Sequence, residues 1–226
     1  DKLIKGVERN WEEIAGQEGS YEHSAYLYRH LLEERKYSLL NYEHRPYERA
    51  NVEAISNNLD VYYIVMKLRH AANIHSRIQT DQSAYDLQLI PDIVHFLDTN
   101  GTYLDHPVVA IHYYMYKMLT ESENHDAYYH YKDIIIRDTD SMVGDQAYEF
   151  FQPALNYCRR RINESNRDFL AEYLEIYRYA LEHNLVYDDG KLDPLQFRNT
   201  ILIALRHGDY TWAEHAIEPY QDHLPD

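Results

Sequence analysis

The sequence predicts an all-α fold, a right-handed superhelix of about four to five stacked helical hairpins, and three observations carry that prediction. No stretch alternates apolar and polar residues over several positions, as a half-buried strand requires. All seven glycines, at 6, 16, 19, 101, 144, 190 and 208, fall between the stretches that read as helices, where a residue costly in a helix interior marks a boundary. A small or polar residue followed by an aromatic one recurs near the start of alternate helices: Ala25-Tyr26, Ala84-Tyr85, Ala127-Tyr128, Asp168-Phe169 and Thr211-Trp212. The last three intervals are 43, 41 and 43 residues, while the first, 59, implies a longer helix or loop in that unit. No single hairpin buries its apolar face, so neighbours bury it together, with each aromatic packed between consecutive helices.

In chain order the helices read as 20–40, 50–78, 83–98, 107–121, 125–137, 145–164, 167–184, 194–207 and 210–223. The second carries "MKLRHAAN" at 66–73, which aligns without a gap with "NYCRRRIN" at 156–163 in the sixth. Leu68 then matches Cys158, Arg69 matches Arg159, Ala72 matches Ile162 and Asn73 matches Asn163. The fourth helix opens on Pro107, a residue preset for the first helical position. The sixth has an apolar stripe of Phe151, Leu155, Cys158 and Ile162 and a polar one of Gln152, Asn156, Arg159 and Asn163. The eighth takes Asp193 as N-cap with Pro194 behind it, and the ninth takes Asp209. Pro91, Pro153 and Pro219 fall inside predicted helices, where kinks or breaks are expected.

Composition narrows the function. With 22 basic and 38 acidic residues the net charge is -16, which argues against nucleic acid and against an anionic membrane surface. Apolar runs such as "PVVAI" at 107–111 are far shorter than the roughly 20 residues that span a bilayer. The single cysteine excludes an internal disulfide and fits a reducing compartment, so the expected location is cytoplasmic. Cys158, on the core stripe, reads as a small buried hydrophobe. The 24 tyrosines against five phenylalanines predict a core that runs close to water, since each ring carries a polar tip.

Fourteen histidines raise the question of a metal, and their spacing answers against it. There is no H-E-x-x-H, and the Asp92–His95 pair has no counterpart elsewhere. Neither a G-x-S-x-G elbow nor a glycine-rich phosphate loop is present. The expectation is no catalytic residue, no metal and no cofactor.

The polar residues beside the core stripes are the candidate site. In helix-pair solenoids the first helices of successive units line one surface, and Asn and Arg there hydrogen-bond the backbone or terminal carboxylate of an extended peptide. Asn156 and Asn199 each lie 12 residues before a repeat marker, and His112 and Tyr116 hold comparable polar positions. The candidate ribbon is therefore Arg69, Asn73, His112, Tyr116, Asn156, Arg159 and Asn199. The competing reading is structural: arginines near helix C-termini complement the macrodipole, and asparagines bond neighbouring helices.

The segments "NYCRRRINESNRDFLAEYLEIYRYALEHNL", "GKLDPLQFRNTILIALRHGDYTWAEHAIEPYQDHLP" and "LDVYYIVMKLRHA" resemble those of a family of uncharacterised bacterial helical-repeat proteins. The resemblance implies a tetratricopeptide-like superhelix, brings no catalytic residues, and places Glu164 where the family motif has glycine. Together these readings give one helical-repeat domain over 1–226, a piece of a longer repeat protein, acting as a non-enzymatic scaffold for a protein or extended peptide. A structural segment of a larger assembly, docked onto flanking repeats, and an enzyme with an unrecognised acid–base site are the alternatives.

Overall fold

The computed structural model describes residues 6, 9, 21–42, 49–81, 86–121, 124–142, 146–188 and 191–220. Among these, nine α-helices follow in order: α1 (His23–Tyr42), α2 (Arg49–Asp81), α3 (Ile90–Thr99), α4 (Pro107–Thr120), α5 (Asp126–Arg137), α6 (Gln146–Asn163), α7 (Asp168–Glu182), α8 (Pro194–His207) and α9 (Tyr210–Tyr220). Short 3₁₀ turns at Gly101–Asp105 and Thr139–Ser141 precede α4 and follow α5. Among the described residues one antiparallel pairing joins the helices, in which β1 (Tyr187–Asp188) meets β2 (Lys191–Leu192). The sequence pattern misses that pairing because two residues per strand cannot show an alternation.

Two local expectations change. The third helix starts at 90, not 83, because Leu89 takes a left-handed conformation (φ 70°) and Pro91, which has no N–H to donate, sits in the first turn. The marker Ala84-Tyr85 lies outside the described residues. Gly6 has helical backbone, so not every glycine marks a boundary. Elsewhere the local chemistry acts as expected: Asp193 accepts from the backbone N–H of Leu195 (2.8 Å) and Gln196 (3.1 Å), and Gly208 closes α8 in the left-handed region at φ 93°. Pro153 lies within a continuous α6. At the end of α6 the left-handed residue is Ser165 (φ 71°), one beyond Glu164, and Asn166 N–H returns to Arg161 O at 3.0 Å. The turn thus closes as a Schellman motif without a glycine.

By contact the chain groups into two compact units, Asp1–Ala127 with Ser141–Val143, and Tyr128–Asp140 with Gly144–Asp226. In the first, α1 packs on α2 and α2 on α4, around a core drawn from Tyr26, Val65, Leu68, Leu97, Val108 and Tyr113. In the second, α6, α7, α8 and α9 each pack on the next. Tyr128 from α5 stacks on Tyr157 of α6 (5.1 Å, 15°) and meets Phe169 of α7 edge-on at 5.3 Å.

The tyrosines correct the picture of a wet core. Tyr128, Tyr131, Tyr157, Tyr173 and Tyr177 are among the largest fully buried side chains. Burial is tolerated where a hydroxyl has a local acceptor. Tyr128 donates to Glu172 (3.0 Å), Tyr131 to Phe150 O (2.7 Å), and Tyr173 shares a bond with Thr200 (3.1 Å).

Candidate functional site

At the four paired positions the two aligned segments hold matching environments. Leu68 and Cys158 are fully buried, Ala72 and Ile162 nearly so, Arg69 and Arg159 are partly exposed, and Asn73 and Asn163 are exposed. The ribbon residues on these and neighbouring helices divide between the two units.

In the first unit the structure draws Arg69 and His112 into one electrostatic cluster with a residue the sequence reading missed, His23. Arg69 Nη1 lies 3.3 Å from His23 Nε2. A guanidinium only donates, so that nitrogen is the acceptor, and His23 carries its proton on Nδ1, 3.7 Å from Glu22 Oε1. Glu22 accepts from the Ser24 hydroxyl (2.6 Å), and this bond first, with help from His23 and Arg69, holds its carboxyl below the usual range. His112 is buried at 4% exposure, with Nδ1 2.8 Å from Val108 O. Its proton therefore sits on Nδ1. Burial, reinforced by the nearby His23 and Arg69, pushes its pKa down to about 4. His112 is thus a neutral core histidine and not an exposed ribbon position. Tyr116 is partly buried against the same core, and Asn73 is exposed one turn beyond Arg69.

In the second unit Arg159 donates to Asn156 on the same helix. The other two arginines of "NYCRRRIN" have different surroundings. Arg161 is 7% exposed, pairs with Glu164 at 2.8 Å, and lies over the Tyr157 ring at 4.9 Å. Arg160 lies over the same ring at 5.5 Å. Burial, then the neighbouring Arg161 charge, lowers the Arg160 pKa. Two cations lie against one aromatic ring in the last turn of α6, where they also complement the helix dipole. Asn199, partly buried on α8, bonds to none of the ribbon residues among those described.

Beneath α6 a buried polar chain crosses three helices. The Cys158 thiol donates to Tyr128 Oη (3.3 Å), Tyr128 donates to Glu172, and Lys132 Nζ lies 2.7 Å from both Glu172 and Glu175. Burial opposes the charge on Lys132, and the two carboxylates outweigh it, so its pKa rises. Burial pushes the Cys158 thiol up to about 12. A thiol at 0% exposure and so far above its ordinary range is inert. We expect a thiol-reactive dye to label native Cys158 at least about a hundredfold more slowly than the unfolded chain, since only the rare open state presents a thiolate; equal rates would show the side chain to be accessible.

Among the described residues no group of three or more His, Cys, Asp or Glu is placed to hold a metal, and no helix is long and apolar enough to cross a membrane. An open groove of about 470 Å³ lies in the first unit between α1 and α2, with Leu31, Val52 and Ile55 beside Glu34 and Arg35.

The most unusual surface belongs to α8. Its inner side buries Phe197, Thr200, Ile203 and Ala204. Its outer side holds Leu195 (61% exposed), Leu202 (45%) and Leu205 (41%), with Arg198 and Arg206 exposed among them. At 100° per residue these five fall within an arc of roughly 100°. Asn199, of the predicted ribbon, lies at the edge of this arc. The signal was present in "PLQFRNTILIALRH", which carries leucines at 195 and 202 outside its core stripe and contains no acidic residue.

No family model, curated protein or solved structure matches the chain. Its class rests on the fold and these surfaces: a helical chain whose helices pack on one another within each unit and whose eighth described helix is apolar on two sides.

Proposed function

We propose that the chain is a non-enzymatic scaffold that binds a protein or an extended peptide on its helix surfaces, its hairpins stacked as a tetratricopeptide-like superhelix of the bacterial helical-repeat kind. One observation carries the reading: α8 buries one apolar side and exposes three leucines on the other. A helix packed on one side only ordinarily presents polar residues to water, so an outward leucine stripe marks a contact surface. The matched environments of Leu68 and Cys158, Arg69 and Arg159, Ala72 and Ile162, and Asn73 and Asn163 support the repeat. In this reading Arg69 and Asn73 in the first unit, and Asn156, Arg159 and Asn199 in the second, supply secondary polar contacts.

A second reading, a segment of a larger assembly docked onto flanking repeats or its own copies, is favoured by the bonds those residues already make. Arg159 is bonded to Asn156, and Arg69 faces His23. Photo-crosslinking from position 202 and from position 159 of the intact chain identifies a partner, which is then purified and titrated against two double variants. Leu195→Ser/Leu202→Ser should weaken binding at least about tenfold with helicity kept, as loss of central apolar anchors does. Arg69→Glu/Arg159→Glu should weaken it less. A partner that binds both variants as tightly as the native chain removes the scaffold reading.

A further inference from the structure

We infer that the outward face of α8 is a docking site for an acidic amphipathic helix of a partner protein; this rests on the scaffold reading and names the chemistry of its partner. The first ground is charge. The chain carries 38 acidic residues in 226, yet none falls within Pro194–His207. Arg198 and Arg206 are exposed, and neither has an ion-pair or hydrogen-bond partner among the described residues. The two carboxylates that bound the helix are both committed. Asp193 caps the first turn, and Asp209 binds Arg178 Nη2 at 2.6 Å and accepts from the Trp212 N–H. In an acidic protein, two guanidiniums without carboxylates on an apolar stripe are complementary to carboxylates brought from outside.

The second ground is spacing. Leu195 and Leu202 are seven residues apart, so their side chains repeat after two turns, about 10.5 Å along the axis. That is the repeat with which a second helix presents its own apolar seam, and the contact is helix against helix. Arg198 and Arg206 flank the seam, where acidic residues beside the partner's apolar positions would meet them. A basic or neutral helix would gain the apolar contact and leave the guanidiniums without partners.

The test uses the full chain and three labelled synthetic helical peptides with leucine at i, i+4, i+7 and i+11, flanked by glutamate, glutamine or lysine. Fluorescence anisotropy at low and high salt reads binding, and sedimentation reads the state of the chain alone. The glutamate peptide should bind at least about tenfold more tightly than the other two and weaken as salt rises. Arg198→Glu/Arg206→Glu should reverse the order of the glutamate and lysine peptides, and Leu195→Ser/Leu202→Ser should abolish binding of all three. These four side chains are exposed, so the melting temperature and circular dichroism of both variants should match the native chain. Glutamine or lysine peptides that bind as well as glutamate, with binding lost in the leucine variant, would overturn the acidic occupant and leave the scaffold reading standing. No binding by any peptide would overturn the proposal. So would self-association that the leucine variant abolishes, since the face would then be covered by a second copy.

Discussion

Replacing Tyr128 by alanine should destabilise the second unit by about 3–5 kcal/mol, the range for truncating a fully buried aromatic. The ring is 0% exposed, stacks on Tyr157 and touches Phe169 edge-on, so its loss opens a cavity where α5, α6 and α7 meet. Tyr128→Phe separates the hydroxyl from the ring. That variant keeps the packing and removes one bond to Glu172 and one from Cys158, at a cost of about 1–2 kcal/mol. Chemical denaturation of the three proteins reads the difference, and amide exchange within Gln146–Glu182 locates it. If alanine costs no more than phenylalanine, the ring is not the wedge between these helices.

Lowering the pH from 6.5 to about 4 should remove roughly 3 kcal/mol of stability through His112 alone. The sign follows from proton counting. In the unfolded chain His112 takes up a proton near its ordinary value of 6.5, whereas in the folded chain burial, with His23 and Arg69 nearby, delays uptake until about 4. Between those values the unfolded state holds the extra proton, so stability falls by about 1.4 kcal/mol per pH unit as the solution is acidified. His106, whose pKa burial also lowers, acts in the same direction. Below about 4.5 the lowered carboxyls of Glu22 and Asp98 add their own loss, because each must be protonated out of its bonds to Ser24 or to Tyr113. Denaturation between pH 4.5 and 6.5 therefore isolates the histidine term. His112→Gln should flatten the slope in that window; an unchanged slope would assign the effect to other groups.

Much of the helical order was legible because its signals are local. Asp193 and Pro194 start α8, Gly208 ends it, and Asp209 caps α9 through side-chain and backbone bonds within three or four residues. The stripe of Phe151, Leu155, Cys158 and Ile162 is buried throughout, because 3.6-residue periodicity places those side chains on one side whatever packs there. The start of α3 was misplaced, since Leu89 adopts a left-handed conformation that apolar residues seldom take.

The candidate site was legible only in part. Sequence alone put Arg159 beside Asn156, a contact within one helix. It could not pair Arg69 with His23, 46 residues away, nor bury His112 beneath them. The outward leucines of α8 were visible as residues, but their exposure depends on which side of the helix finds neighbours.

By itself the sequence determined most of the helices, the capped ends such as those of α8, the buried stripes and the acidic charge, because capping, periodicity and composition act within a few residues or need no geometry. Only the tertiary structure decided which polar groups are consumed by long-range bonds, which tyrosine hydroxyls have acceptors in the core, and which apolar side of α8 remains in water. Each of these is settled by residues brought together from distant parts of the chain, and no local pattern encodes that meeting.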